Sequence, residues 1–291
     1  MGLCDWGSSS GLGLVFLHDY LMCMCFMIMT VVGGVLCLVV PKASYFCGGV
    51  HFRNVYRNNS LELWWTIIPI FLIVIIGYPS FVQLYAMSMN DKAKFVTVKV
   101  VGHQWYWSYE YMLHLPSLIN ASKEMGLFRD MGFFDVSGDG GVVNSCVVMD
   151  DGASNGFLDV VKGGVGDWLI SYDSYTVRAV EGEDQGLGYR YGQYVDYPMV
   201  LPGDSNVEIK VTSSDVIHCW TAHGLGVKMD AVPGRVNTAH LSGLRPGFTA
   251  WGGCSEMCGV NHWHMSIEVE VLSAADFVLW CLSWVHAECL E

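Results

Sequence analysis

The sequence predicts two membrane-spanning helices followed by an all-β domain of the sandwich or barrel class. Two long runs near the N-terminus carry no charge, and hydrophobic residues make up 52% of the 291-residue chain against 15% charged residues. After these runs, apolar and polar residues alternate with a period of two, and glycine and proline separate the alternating segments. This second pattern is typical of half-buried strands.

The two uncharged runs are each long enough to cross a membrane. They extend over Tyr20–Val40 and Leu63–Ala86, and a helix needs about 20 apolar residues to span the hydrocarbon core. Pro69 and Pro79 lie inside the second run, where neighbouring helices can satisfy the carbonyl groups that proline leaves free. A buried hairpin in a soluble core is the alternative, and the length of both runs without a charge argues against it.

The segment between the two runs indicates the orientation of the hairpin. It holds Lys42, Arg53 and Arg57 against Glu62, whereas the residues before the first run include no Lys or Arg. By the positive-inside rule, this loop faces the cytoplasmic or matrix side and both termini face the other side. The first run lacks the basic flank of a signal peptide, so we expect the mature protein to keep its N-terminus.

The rest of the chain divides into strands, an insertion and a helix. Three stretches read as strands, namely "FVTVKVVGHQWYWSYEY", "NVEIKVTSSDVIHCW" and "MSIEVEVLS", and the turns "LPGD", "VPGR" and "RPG" lie between later segments. We expect an antiparallel sandwich or barrel. Residues 112–167 are glycine-rich and loosely patterned, which indicates a surface insertion. The tail "AADFVLWCLSWVHAECLE" predicts a short C-terminal helix, so the predicted parts are a membrane part, 1–94, and a β domain, 95–291.

The β domain carries nearly all of the net charge. Residues 95–291 hold 24 Asp and Glu against 10 Lys and Arg, a balance of −14, and the whole chain has a net charge of −13. Such a domain repels nucleic acid, so we expect no nucleic-acid partner, and it attracts basic proteins. A solvated acidic face without a partner has the same composition.

The stretch "CSEMCGVNHWHM" predicts a metal centre. It brings together Cys254, Cys258, His262 and Met265, and soft thiolate and thioether ligands favour copper or zinc over magnesium or calcium. Two thiolates can bridge two copper ions, each of which then needs one imidazole. His218 in "SSDVIHCW" supplies the second imidazole, Met265 caps one ion, and a backbone carbonyl between the cysteines caps the other. One copper ion, a zinc ion held by two Cys and two His, and a disulfide stay open as alternatives.

Longer stretches around this motif resemble a known family. "DVIHCWTAHGLGVKMDAVPGRVN" and "RPGFTAWGGCSEMCGVNHWHM" closely resemble the binuclear copper domain of cytochrome c oxidase subunit II. "GHQWYWSYEY" resembles the family's aromatic stretch, "LELWWTIIPIFLIVIIGYPS" its second membrane helix, and "HDY" at His18–Tyr20 the start of its first. The resemblance covers nearly the whole chain apart from the insertion. It implies a transmembrane α-helical hairpin followed by an all-β, cupredoxin-like Greek-key barrel.

The resemblance also implies roles for individual residues. Glu256 matches the residue whose backbone carbonyl binds the second copper, and its carboxylate reaches a magnesium ion at the border with subunit I, near Asp230. Trp105 matches the residue at which electrons enter below docked cytochrome c. Glu62 matches a glutamate at the mouth of a proton path. The matched copper ligands are His218, Cys254, Cys258, His262 and Met265, and the matched docking acids are Glu110, Asp196 and Asp215.

The function that the resemblance implies is electron transfer into a respiratory terminal oxidase. The chain would accept electrons from cytochrome c and pass them to haem in subunit I, where oxygen is reduced to water and protons are pumped. The implied partners are oxidase subunits I and III, accessory subunits and membrane lipid. The implied location is the mitochondrial inner membrane, with two spans and the copper domain in the intermembrane space.

Rival classes and departures from the family pattern are visible in the sequence. Related quinol oxidase subunits lack the copper ligands, a nitrous oxide reductase is larger and has no hairpin, and a metal carrier has no need of "GHQWYW" or Glu62. Cys219 and Gly253 stand where the family often has serine and glutamine, and His264 stands where an aromatic residue is common. We expect His264 to face away from Met265, because adjacent strand residues point to opposite faces.

Overall fold

The structure is a computed structural model that describes residues 5–43, 57–88, 94–114, 167–177 and 194–289. The chain divides into two compact units. We call Gly13–Met89 the helical unit, and Met1–Leu12 with Asn90–Glu291 the β unit. Most of the predicted insertion lies outside the described residues. Only its two ends are described: one strand ends at His114, and the next strand begins at Asp167.

Two long helices make up the membrane part. Helix α1 is Ser9–Ala43 and helix α2 is Asn59–Ser88, so both extend beyond the predicted runs. Both are long and apolar enough to cross a membrane. Helix α2 continues through Pro69 and Pro79, and its start is capped by Asn58, whose Oδ1 accepts a hydrogen bond from the Leu61 N–H at 3.1 Å.

In the described part of the β unit, ten strands form two five-stranded sheets. The first sheet has the order β3-β2-β1-β5-β8 and the second has the order β4-β10-β9-β6-β7. The strands are β1 Val96–His103, β2 Tyr106–His114, β3 Asp167–Ser174, β4 Met199–Pro202, β5 Val207–Ser213, β6 His218–Ala222, β7 Val227–Ala231, β8 Asn237–Leu241, β9 Thr249–Cys254 and β10 Ser266–Leu272.

The sheets are mixed, so the expectation of purely antiparallel strands is wrong. Strand β1 pairs in parallel with β5, and β4 pairs in parallel with β10, while the other pairs are antiparallel. The stretch from Phe95 also forms two strands, because the chain turns at Gln104 and Trp105. No glycine or proline marks that turn. The predicted turns contain Asp204, Gly234 and Gly247, each with a positive φ.

The core lies between the two sheets and follows the predicted alternation. The inward residues of β5 and β10 are at most 1% exposed, namely Val207, Ile209, Val211, Ile267, Val269 and Val271. Burial of each such side chain stabilises the fold by about 1.5–3 kcal/mol relative to exposure. Trp107 and Trp220, both fully buried, fill the space near the start of β2 and in β6.

The two chain ends pack against the sheets of the β unit. In the N-terminal arm, which we assigned to the membrane part, the Gly7 N–H donates to the Gly224 carbonyl at 2.8 Å and Arg245 lies over the Trp6 ring. The predicted C-terminal helix is α3, Ala274–Cys289. Its N-cap is Ser273, whose Oγ accepts a hydrogen bond from the Asp276 N–H at 3.1 Å. The helix buries Phe277 and Cys281.

The close approach of β9 to β6 predicts that alanine at position 252 destabilises the β unit. A Cβ atom on Gly252 would collide with the backbone carbonyl oxygen of Thr221, whereas one on Gly253 would meet its nearest atom at 3.5 Å. Because backbone cannot move aside cheaply, we expect Gly252→Ala to cost about 3 kcal/mol or more. Gly253→Ala is the matched control and should be nearly neutral. Thermal unfolding of the full-length chain in detergent measures both, and equal losses of stability would contradict this account.

Candidate metal centre

The pairing of β6 with β9 brings the first two predicted donors together. Trp220 of β6 lies directly opposite Cys254 of β9, and residues directly opposite one another share a face of the sheet. His218 is two residues before Trp220 and therefore lies on that face as well. His218 is fully buried. The register alone thus places an imidazole beside a thiol.

The remaining predicted donors lie on the loop that follows β9. Cys258 is 3% exposed and is followed by Gly259, whose φ is +122°. His262 opens a 3₁₀ turn that ends at His264, and Met265, 1% exposed, precedes β10. The Cys254 N–H donates to the Met265 carbonyl at 3.0 Å. This hydrogen bond closes the loop at its base.

The donor atoms form two thiol–imidazole pairs. Cys254 Sγ is 3.9 Å from His218 Nδ1, and Cys258 Sγ is 3.5 Å from His262 Nδ1. The two sulfur atoms are 3.8 Å apart. The Glu256 carbonyl oxygen, predicted as a further donor, is 3.2 Å from Cys254 Sγ. The structure therefore gathers His218, His262 and the Glu256 carbonyl around the sulfur atoms of Cys254 and Cys258.

This arrangement bears on the alternatives that the sequence leaves open. A disulfide requires sulfur atoms about 2.05 Å apart, and both cysteines are free. Within the described part of the chain, His218, Cys254 and Cys258 form a group whose ligand atoms all lie within 4.8 Å of one another. His262 approaches from the Cys258 side. One imidazole therefore approaches the sulfur pair from each side.

The two thiols differ in their affinity for a proton. Burial by itself would raise the pKa of Cys254, but hydrogen bonds to His218 and to nearby backbone groups outweigh it, and the pKa falls to about 6. Burial and the neighbouring Cys254 sulfur raise the pKa of Cys258 to about 12. In the metal-free chain, Cys254 therefore carries the negative charge of the pair at neutral pH.

Trp105 lies against the carbonyl group of a predicted ligand. Its indole N–H donates to the Cys258 carbonyl oxygen at 3.3 Å, and the side-chain amide of Gln104 donates to the same oxygen at 2.9 Å. A Cβ atom on Gly259 would lie 3.1 Å from the Trp105 ring. Glycine at 259 thus serves both the positive φ and the close contact with the indole.

The two predicted magnesium ligands lie on segments that flank one residue of β6. Asp230 is exposed on β7 and pairs in register with Cys219. Glu256 is also exposed and follows Ser255, whose N–H donates to the Cys219 carbonyl at 3.0 Å. Magnesium prefers carboxylate and water oxygens, and these two carboxylates belong to segments on either side of β6.

The three predicted docking acids all have partners within the chain. Glu110 forms an ion pair with Lys99, with 2.9 Å between Oε2 and Nζ. Asp196 Oδ1 accepts hydrogen bonds from the backbone N–H groups of Tyr175 and Tyr197 at 2.7 and 2.8 Å. The third acid is Asp215, whose Oδ1 lies 2.8 Å from Nε2 of His218.

Glu62 lies in the first turn of α2 in the helical unit. The Glu62 N–H donates to the Asn58 carbonyl, and its side chain is exposed. A carboxylate is stabilised at this end of a helix by the helix dipole. The position is compatible with a solvent-accessible acid at a membrane boundary.

The structure also accounts for two departures from the family pattern. Cys219 is fully buried on the face opposite His218, and its Sγ is 3.6 Å from Thr221 Oγ1. We expected His264 to face away from Met265 because adjacent residues of a strand point to opposite faces. That reason is wrong, because residues 262–264 form a 3₁₀ turn rather than a strand. The His264 ring contacts Trp263 edge to face with 5.0 Å between centroids.

Two residues beside the donor set were missed by the sequence analysis. Gln104 holds the Cys258 carbonyl, and Thr176 Oγ1 donates to the His264 carbonyl while accepting from the Ser266 N–H. Both act through contacts between segments far apart in the chain, so no local pattern marks them.

The fold and the donor set define a membrane-anchored, cupredoxin-like metal protein. Residues 1–83 match the family described as cytochrome C oxidase subunit II, transmembrane domain, and residues 158–272 match its periplasmic domain. Cytochrome c oxidase subunit 2 of Branchiostoma lanceolatum is 31% identical over 290 residues, covering 100% of this chain and 95% of that protein. The chain belongs to the cytochrome c oxidase subunit II family. The predicted fold class and the prediction of a membrane-spanning oxidase subunit are confirmed.

Other relatives extend the same picture. Cytochrome c oxidase subunit 2 of Arabidopsis thaliana is 31% identical over 280 residues, covering 96% of this chain and 87% of that protein. Among solved structures, the periplasmic domain of subunit II from Bradyrhizobium japonicum is 23% identical, with a TM-score of 0.41. The likeness covers 68% of this chain and 99% of that domain.

The unequal thiols predict selective alkylation of the metal-free chain. Iodoacetamide reacts with thiolates, so the rate at which Cys254 is labelled should rise at a lower pH than the rate at which Cys258 is labelled. Cys258, buried and with a pKa of about 12, should stay largely unlabelled at pH 7. Peptide mass spectrometry of the reduced full-length chain measures both sites, and the urea-unfolded chain is the control. Equal labelling of the two cysteines at pH 7 in the folded chain would refute the asymmetry.

Proposed function

We propose that this chain is the subunit through which electrons enter a respiratory terminal oxidase. It accepts electrons from cytochrome c at a binuclear copper centre and passes them to haem in subunit I, where oxygen is reduced to water and protons are pumped. The observation that carries the proposal is the pair of cysteine sulfur atoms 3.8 Å apart with one histidine beside each. Family membership supports it throughout.

The donor set fits copper by its chemistry. His218 and His262 offer imidazole nitrogen, Cys254 and Cys258 offer thiolate, and Met265 is buried where the loop returns to β10. The Glu256 carbonyl completes the set. Soft sulfur and borderline nitrogen donors are those that copper prefers. Two copper ions bridged by thiolates would share one unpaired electron, which spreads the charge and limits geometric change on reduction.

The protein's own part in electron transfer is to hold and connect these donors. The β6–β9 ladder fixes His218 and Cys254 on rigid strands, and preorganised sites depend on such support. Trp105 contributes an aromatic ring that is hydrogen-bonded to the Cys258 carbonyl. We infer that an electron from a docked partner passes through this ring and reaches the donor set by way of that carbonyl.

The acidic β domain gives the docking step a physical basis. Its balance of −14 attracts a basic protein such as cytochrome c, and this attraction weakens with salt. Glu110 and Asp196 are the acids that we assign to the docking face, although each has a partner within the chain. Their contribution is therefore mainly to the field of the whole domain.

Further assignments rest on the family and on position. We assign Glu256 and Asp230 to a magnesium ion shared with subunit I, and Glu62 to the mouth of a proton path. The partners are subunits I and III, accessory subunits and membrane lipid. The location is the mitochondrial inner membrane, with the copper domain in the intermembrane space, in agreement with the charge of the loop between the helices.

Replacement of Cys258 tests the binuclear centre directly. Cys258→Ser should abolish the hyperfine pattern of one electron shared by two equivalent copper nuclei, because serine oxygen does not replace a bridging thiolate. Cys219→Ser is the matched control, since Cys219 is also buried but faces away from His218, and it should leave the pattern unchanged. Electron paramagnetic resonance and copper analysis of the assembled oxidase measure both. A mixed-valence signal that survives Cys258→Ser would refute the ligand assignment.

Replacement of Trp105 tests the path into the centre. Trp105→Ala should slow reduction of the copper centre by cytochrome c without changing the copper content, because the indole lies outside the donor set. Trp105→Phe keeps a ring and loses only the N–H group that bonds the Cys258 carbonyl, so its rate should be intermediate. Stopped-flow reduction of the assembled oxidase gives these rates. Wild-type kinetics in the alanine variant would remove Trp105 from the path.

A further inference from the structure

Asp215, which the sequence analysis assigns to docking, lies beside a predicted copper ligand. Its Oδ1 is 2.8 Å from Nε2 of His218. We propose that Asp215 is a positioning residue, which holds the imidazole of His218 so that Nδ1 faces the sulfur pair. The inference rests on the proposed function, because it requires His218 to bind copper, and it assigns Asp215 a different role from docking.

The hydrogen bond fixes the tautomer of His218. A carboxylate accepts a proton-bearing nitrogen, so Nε2 carries the hydrogen and Nδ1 keeps a free lone pair. Nδ1 is the nitrogen that lies 3.9 Å from Cys254 Sγ. Histidine ligands of metals usually donate their other N–H to a carboxylate or carbonyl group, which orients the ring and raises its basicity.

Close packing restricts the ring of His218. A Cβ atom on Gly102 would lie 2.9 Å from Cδ2 of His218, so glycine is needed there for the ring to fit. The Trp107 ring packs against His218 at 63°, with 5.9 Å between centroids. Asp215 therefore supplies the one directional contact at the Nε2 edge, while packing holds the faces.

The carboxylate itself is held in place and is not free to turn toward a partner protein. Oδ1 also accepts the Val216 N–H at 2.6 Å, and Oδ2 accepts the Gln104 N–H at 2.6 Å. Ser213 Oγ lies 3.3 Å from Oδ1. The side chain is 31% exposed. What distinguishes Asp215 from the other two acids is that one of its partners is the imidazole of His218.

Gln104 connects this carboxylate to the other half of the donor set. Its backbone N–H binds Asp215, and its side-chain amide donates to the Cys258 carbonyl at 2.9 Å. The hydrogen bonds thus run from His218 through Asp215 and Gln104 to Cys258. Loss of the carboxylate should consequently disturb both thiol–imidazole pairs rather than His218 alone.

Two replacements of Asp215 in the assembled oxidase separate positioning from docking. Asp215→Ala removes the acceptor and the charge, and Asp215→Asn removes the charge but keeps an acceptor oxygen. Positioning predicts that the alanine variant binds copper about 10- to 100-fold more weakly than the wild type, as measured by competition with a chelator. Its hyperfine pattern should also be altered. The asparagine variant should keep the two-nucleus pattern and lie between wild type and alanine in copper affinity.

Asp196→Ala is the matched control for loss of an acidic side chain. This variant should keep the copper spectrum and the copper affinity of the wild type. It should raise the KM for cytochrome c and make that KM less dependent on salt. The inference would be overturned if Asp215→Ala showed the wild-type hyperfine pattern and retained copper against a chelator as well as the wild type does. If the alanine variant does not assemble, the asparagine variant decides between the two roles. A KM for cytochrome c and a salt dependence of that KM changed as much as in Asp196→Ala would overturn the inference. Values near those of the wild type would support it.

The two levels of the proposal fail in different ways. A wild-type oxidase without a two-copper signal would overturn the proposed function, and the role of Asp215 with it. A wild-type oxidase with that signal, combined with an unperturbed Asp215→Ala variant, would overturn the positioning role alone.

Discussion

The register between β6 and β9 is the constraint on which the metal centre depends. Trp220 opposite Cys254 places His218 and Cys254 on one face, and a slip of one residue would turn His218 to the other face. The close approach of Gly252 to the Thr221 carbonyl leaves room for backbone only at that step of the ladder. Gly252, two residues before Cys254, therefore has a structural role, since it lets β9 approach β6 closely enough for Cys254 to lie beside His218.

The second half of the centre depends on loop closure rather than on a ladder. The bond between the Cys254 N–H and the Met265 carbonyl makes the start and end of the loop neighbours. Between these ends, Gly259 turns the chain and the 3₁₀ turn at 262–264 presents His262. Gln104 then ties the loop to the first sheet through the Cys258 carbonyl. Both sheets consequently contribute to one site, although the predicted ligands all come from the second sheet and its loops.

Local pattern was sufficient to predict the membrane runs and the inward faces of β5 and β10. It also singled out cysteine and histidine residues that the fold brings together. It failed where the deciding contacts are distant. The turn at Gln104 and Trp105 has no glycine or proline, and it is fixed by hydrogen bonds to Asp215 and Cys258. Parallel pairing of β1 with β5 joins strands about a hundred residues apart, and alternation alone gives no strand direction. The contact of Asp215 with His218 was hidden for the same reason, because a lone acid in sequence looks like a solvated charge.

The two thiols explain why this fold suits a bound cation. Two thiolates 3.8 Å apart in a half-buried site repel each other strongly, since the effective dielectric constant is well below that of water. The metal-free chain relieves the repulsion by keeping one proton. Hydrogen bonds with His218 and nearby backbone groups lower the pKa of Cys254 in spite of its burial, while burial and the Cys254 sulfur raise the pKa of Cys258. Metal binding must expel the second proton, and the positive charge of the metal then replaces it. The same closeness that makes the pair unfavourable without metal would let both sulfur atoms serve the proposed copper centre.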